Sequence, residues 1–132
     1  MSDERRQKPR LPWIKFNSKV KVRRGLFSSE WIEIVPFDYS KYGMGIQTDE
    51  IFELKETVNL SISLEMEVGV VQIDLIPGIV RYREKHHSRF DYGIEFDYAS
   101  KIIARGTVRS DLEHIEQVLT KHEQMKARLE DM

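Results

Sequence analysis

The sequence has 132 residues, 40% hydrophobic and 33% charged, enough for one domain with a modest core. It contains no cysteine, which excludes disulfides, thiolate metal sites and cysteine nucleophiles and fits a reducing compartment. The net charge of −1 hides an asymmetry: residues 1–24 hold nine Lys/Arg and two acids, the remainder twelve Lys/Arg and twenty acids. A basic head on an acidic body argues for a specific anionic ligand rather than long DNA gripped along a whole face.

Residues 1–12 have no apolar periodicity, and Pro9 and Pro12 oppose helix, which predicts an extended, mobile basic arm. The start, Met1-Ser2-Asp3-Glu4-Arg5-Arg6, develops no apolar signal core. No stretch approaches the ~20 apolar residues of a membrane helix, so the expectation is a cytoplasmic protein without membrane insertion. From Trp13 the pattern turns strand-like, with Ile14, Phe16, Val20 and Val22 on one parity and Lys15, Lys19 and Lys21 on the other. Trp31 to Val35 predicts a second strand ending at Pro36, and Gly45-Ile46-Gln47-Thr48 begins a third. Val58, Leu60, Ile62, Leu64, Met66 and Val68 alternate with Asn59, Ser61, Ser63, Glu65 and Glu67. After a turn near Gly69 come Val71, Ile73 and Leu75, then Ile79 to Tyr82 behind Pro77-Gly78, and finally Phe90 to Phe96. Six or seven short strands at this spacing predict a mainly β fold, a small antiparallel β-barrel over residues 13–109. Trp13, Phe16, Trp31 and Phe96 are expected in its core. Ser110-Asp111-Leu112-Glu113 reads as a capping box, and Leu112, Ile115, Val118, Leu119, Met125 and Leu129 keep helical spacing. One amphipathic C-terminal α-helix is therefore expected over residues 110–132, its stripe on the barrel or on a second copy in a homodimer.

No catalytic set can be assembled. There is no nucleophile elbow, phosphate loop or dinucleotide fingerprint. Of the four histidines, His86 and His87 are adjacent and His114 and His122 lie eight apart, so none has zinc-type spacing. The expectation is a non-enzyme with no metal and no cofactor. Two motifs stand out. Arg6-x-x-x-Arg10 is weak alone, because eleven arginines supply about one such pair by chance, and Arg105-x-x-x-Arg109 is another. Asp38-Tyr39-Ser40-Lys41-Tyr42-Gly43 matches [DN]-x-S-x-x-G, for which chance supplies only about 0.04 matches.

Together these motifs resemble the PilZ domain family, small β-barrel receptors for the bacterial second messenger cyclic di-GMP. The resemblance extends to Gly43-Met44-Gly45-Ile46 after the signature, to Tyr92-Gly93-Ile94-Glu95-Phe96 and to a terminal helix, covering nearly the whole chain as one stand-alone domain. It implies a ligand site of Arg5, Arg6, Arg10, Asp38, Ser40 and Gly43. These residue types suit that ligand. An arginine fork meets guanine O6 and N7 or phosphate oxygens, and its plane stacks on a base. Asp38 can accept from guanine N1–H and N2–H, and Ser40 is a short donor and acceptor. Gly43 would let the chain turn and leave the ligand room. In the family an arginine at the place of Arg5 goes with a stacked ligand pair, which implies two cyclic di-GMP molecules per chain. Tyr42 departs from the small residue common there, either crowding the site or adding a stacking face. The resemblance further implies ligand-induced ordering of the arm and a downstream protein partner.

Two rivals stand beside this reading. An OB-like barrel binding oligonucleotides would use the basic arm and aromatics, but the acidic body opposes it and no DNA or RNA partner is expected. A PilZ-like adaptor that does not bind the ligand is opposed by retention of every signature residue.

Overall fold

A computed structural model describes residues 10–131. Six antiparallel strands, β1 (Ile14–Arg23), β2 (Ser29–Ser40), β3 (Gly43–Thr48), β4 (Thr57–Met66), β5 (Gly69–His86) and β6 (Arg89–Phe96), are followed by α1 (Lys101–Ala104) and α2 (Val108–Glu130). The sheet closes on itself in the order β1-β2-β3-β6-β5-β4. Alternation decides the faces: Val20, Leu60, Ile62, Leu64, Ile76, Val80, Tyr92 and Ile94 fill the interior, and Ile103, Leu112 and Ile115 of the helices join them. Buried polar groups are paired. Ser18 Oγ donates to the Ser61 carbonyl at 2.8 Å. The Tyr92 hydroxyl donates to Glu50 O and accepts from Phe52 N, pinning the 49–56 loop to the sheet.

Several expectations change. The strand count is six because Val71–Leu75 and Ile79–Tyr82 are one 18-residue strand, β5, running through Pro77 and Gly78. The Pro77 carbonyl accepts from Asp97 N, so its missing N–H faces the same side, just past the last β5–β6 pair, Gly78↔Phe96. The missing N–H therefore costs the β4–β5 ladder no bond and falls at the end of the β5–β6 ladder. Strand β2 likewise continues beyond Pro36 to Ser40, with a bulge accommodating the proline. Trp13 and Trp31, expected in the core, are 51% and 38% exposed. Trp31 lies on the outward parity of β2 opposite Lys21, whose ammonium sits 6.0 Å from its ring. Phe96 is buried and Phe16 half-buried, as expected.

The helix begins at Val108, so the expected boundary at residue 110 falls inside its first turn. Its N-cap is Thr107, which makes no side-chain cap bond; Ser110 is not the cap. A short helix that the periodicity did not suggest, α1, is capped by Ser100, whose hydroxyl accepts from Ile102 N. Gly106, at φ +73°, separates the two helices. No helix among the described residues is long and apolar enough to cross a membrane.

Helix α2 is fastened to the strand that carries the Asp38 motif. The Tyr39 hydroxyl donates to Leu112 O at 2.8 Å, and Glu116 Oε2 accepts from Lys41 N at 2.8 Å. The Tyr39 ring also packs on Phe16 and Phe96. Burial, reinforced by Tyr98 and Glu116, raises its phenol far above the ordinary value of 10. A raised acid binds its proton more tightly folded than unfolded, so this contribution is complete below pH 10 and is lost as pH rises beyond it. Denaturant unfolding should accordingly show stability falling above pH 10. Tyr39→Phe should cost about 0.5–1.5 kcal/mol at pH 7 and give a shallower alkaline decline. An unchanged alkaline slope would contradict this role.

Candidate ligand-binding site

Two β-bulges shape the outer face of the ring. On β2 the pairing steps from Pro36↔Ile46 to Asp38↔Gly45, leaving Phe37 as the extra residue. Before the bulge Ile32, Ile34 and Pro36 share the inward parity; after it Tyr39 turns inward and Asp38 is exposed. One inserted residue thus flips the strand and carries Asp38 and Ser40 to the outside. On β5 the pairing steps from Val80↔Ile94 to Tyr82↔Gly93, leaving Arg81 extra.

Between the bulges lies a floor without side chains. Asp38, Gly45, Gly93 and Tyr82 form one row across β2, β3, β6 and β5. A Cβ on Gly45 would lie 2.6 Å from the Phe37 ring, and one on Gly93 would lie 3.1 Å from Tyr82 Cβ. The ring of Phe37, 57% exposed, therefore lies over Gly45, and Tyr82, 51% exposed, rises beside Gly93. The result is an open cleft of about 500 Å³, with Asp38, Ser40, Tyr42, Gly43, Arg81 and Glu95 also contributing to its lining. That volume lies within the range of small-molecule sites.

The polar groups are few. The Asp38 carboxylate is exposed. Ser40 Oγ accepts from Tyr42 N at 3.1 Å, closing the β2–β3 turn, and its proton remains free to donate. Arg81 Nε donates to Glu95 Oε1 at 2.9 Å. The exposed Tyr42 ring sits at the cleft edge, 6.2 Å from Tyr98 and 5.3 Å from the Lys41 ammonium. Gly43 is required by close approach of the neighbouring strand rather than by a turn. Its φ is not left-handed, but a Cβ there would lie 2.2 Å from the Ile94 carbonyl oxygen.

Asp38, Ser40 and Gly43 thus share one cleft. Arg10 is not among its lining residues; its guanidinium meets Glu67 at 2.7 Å, beside the β4–β5 turn. Arg5 and Arg6 lie outside the described residues. The second R-x-x-x-R pair lies at the helices, with Arg109 over the Tyr98 ring at 5.8 Å. Sequence reasoning missed Phe37, Tyr82 and Gly93 as site residues. The available signal was Gly45 and Gly93, each inside a strand pattern, which marks close approach on a face.

A planar, hydrogen-bonding ligand suits this surface: aromatic walls for stacking, backbone for a floor and a carboxylate to accept from ring N–H groups. Among curated proteins none matches the chain. A family model, that of the PilZ domain, matches residues 4–110, a span that takes in residues 4–12 of the arm, both motifs and all six strands. The match covers well over half of the chain, and the chain belongs to the PilZ domain family.

Proposed function

We propose that the protein is a non-catalytic bacterial receptor that binds cyclic di-GMP on the outer face of the strand ring and signals by ordering its basic arm. The observation that carries this reading is the Phe37 bulge, which turns Asp38 and Ser40 outward beside the Gly45–Gly93 floor. One guanine stacks on the exposed Phe37 ring over that floor, its N1–H and N2–H donating to Asp38. Arg6 and Arg10 close over it with forks to phosphate or to guanine O6 and N7. Arg5 engages a second, stacked molecule, giving two per chain. The arm gains order on binding, which passes the signal to a protein partner in the cytoplasm.

The Arg10–Glu67 pair is compatible with this. The Arg10 side chain is 73% exposed, and such surface pairs are worth about 0–1 kcal/mol. A charge-assisted bond to the ligand is worth about 1.5–3 kcal/mol, so Arg10 exchanges partners at little cost.

Calorimetric titration with cyclic di-GMP tests the reading, with GMP and a short oligonucleotide as controls. Saturation specific to cyclic di-GMP, ending at two equivalents, is the expected result. An endpoint near one would remove the role given to Arg5. No heat with cyclic di-GMP would leave the adaptor, and salt-sensitive oligonucleotide binding would point to the OB-like rival. Asp38→Asn should weaken binding by about tenfold, because one acceptor becomes a donor facing the guanine N–H groups.

A further inference from the structure

The β5–β6 hairpin carries a second cluster of side chains, beyond the cleft. Register places Glu84 directly opposite Asp91 and His86 opposite Arg89. Like charges directly opposed across a strand pair are destabilising unless a cation compensates them. The permanent cations of the hairpin are engaged elsewhere. Arg83 reaches Glu53 and the Phe52 carbonyl, the Lys85 ammonium sits over the Phe90 ring, and Arg89 donates to Gln47. Among the described residues, no Lys or Arg pairs with Glu84 or Asp91; the basic side chain that meets both is His86.

The geometry is that of a ligand set. His86 Nε2 lies 3.2 Å from Glu84 Oε1 and 3.2 Å from Asp91 Oδ2, and the three ligand atoms fall within 4.8 Å of one another. Tetrahedral zinc, with bonds of ~2.0–2.2 Å, separates its ligands by about 3.3–3.5 Å. Each carboxylate also has an orienting donor of the kind that surrounds metal ligands. The Tyr82 hydroxyl donates to Glu84 Oε1 at 2.8 Å, and Gln47 Nε2 on β3 donates to Asp91 Oδ1 at 3.0 Å.

We propose that Glu84, His86 and Asp91 bind a divalent transition-metal ion of the zinc class through one imidazole and two carboxylates. The imidazole selects against Mg²⁺ and Ca²⁺, and an exposed three-ligand set leaves a coordination position for water. Chain spacing conceals the site, because Asp91 joins the other two only across the hairpin. Since Tyr82 both orients Glu84 and lines the cleft, the ion would sit one side chain away from the cleft.

The test uses the full chain and Zn²⁺ alone, without nucleotide, so its result is independent of the cyclic di-GMP reading. Calorimetry should give one saturable equivalent, and Co²⁺ should give the visible absorption of a low-coordinate site. His86→Ala and Asp91→Asn should each weaken Zn²⁺ binding at least about tenfold, whereas His87→Ala and His114→Ala should leave it unchanged. Nitrogen-15 spectra of the unmodified protein keep the test decisive even if a variant misfolds, since Zn²⁺ should shift the His86 Nε2 resonance selectively. Absence of a one-equivalent event overturns the proposal, as does binding that survives His86→Ala or shifts only His87, His114 or His122.

Discussion

Replacing Arg6 and Arg10 together by alanine is expected to lower affinity for cyclic di-GMP by about 100-fold or more. In the proposed complex each arginine would supply charge-assisted bonds worth about 1.5–3 kcal/mol, and Lys8, left in the arm, offers charge without the guanidinium fork. Arg105→Ala is the matched control. It removes one arginine from the other R-x-x-x-R pair, which lies at α1 and α2, and should leave affinity unchanged. Glu67→Gln offers a second control by freeing Arg10 from its surface partner. That change should alter affinity by no more than about fivefold, because the pair is worth about 0–1 kcal/mol. Calorimetry on the four proteins decides. A double variant within about threefold of the parent, or a loss confined to Arg105→Ala, would mean that the wrong arginines have been assigned.

Gly43→Ala is expected to damage the fold more than Gly45→Ala. The new methyl carbon would lie 2.2 Å from Ile94 O and 3.2 Å from Glu95 Cα, and both are backbone of the neighbouring strand. Relief requires β3 and β6 to part where Gly43 pairs with Glu95. Overpacking of this kind costs about 3 kcal/mol and should lower Tm by roughly 10 °C. Gly45→Ala makes the instructive contrast. There the obstructing atoms belong to the exposed Phe37 ring, a side chain that can swing aside. Stability should fall by less than about 1 kcal/mol, while ligand binding suffers because a cleft wall has moved. Thermal unfolding of the two variants separates these cases; equal Tm values would remove the distinction between backbone and side-chain crowding.

Much of the fold was legible because alternation is a local signal. In β4, Val58, Leu60, Ile62 and Leu64 point inward and are buried, as their spacing requires. The parity of β1 and the stripe of α2 were equally direct, and the Asp38–Gly43 motif was recognisable from residue types alone. Punctuation misled where two principles competed. Pro36 and Pro77 each read as a strand end, yet each occupies a place where a missing N–H falls at the end of a ladder or a bulge absorbs it. Ser110 offered a capping box, but the chain had already entered α2 at Val108.

The sequence by itself determined a mainly β domain with a terminal helix and the residue types of the PilZ signature. Tertiary pairing decided which way those residues face. A bulge is set by the register of two strands, and one extra residue reverses every side chain after it. Without the shift at Phe37, Asp38 and Ser40 would continue the inward parity of Ile34 and Pro36. The Gly45–Gly93 floor and the opposition of Glu84 and Asp91 are of the same kind, formed by residues distant along the chain that meet only when β3, β5 and β6 align.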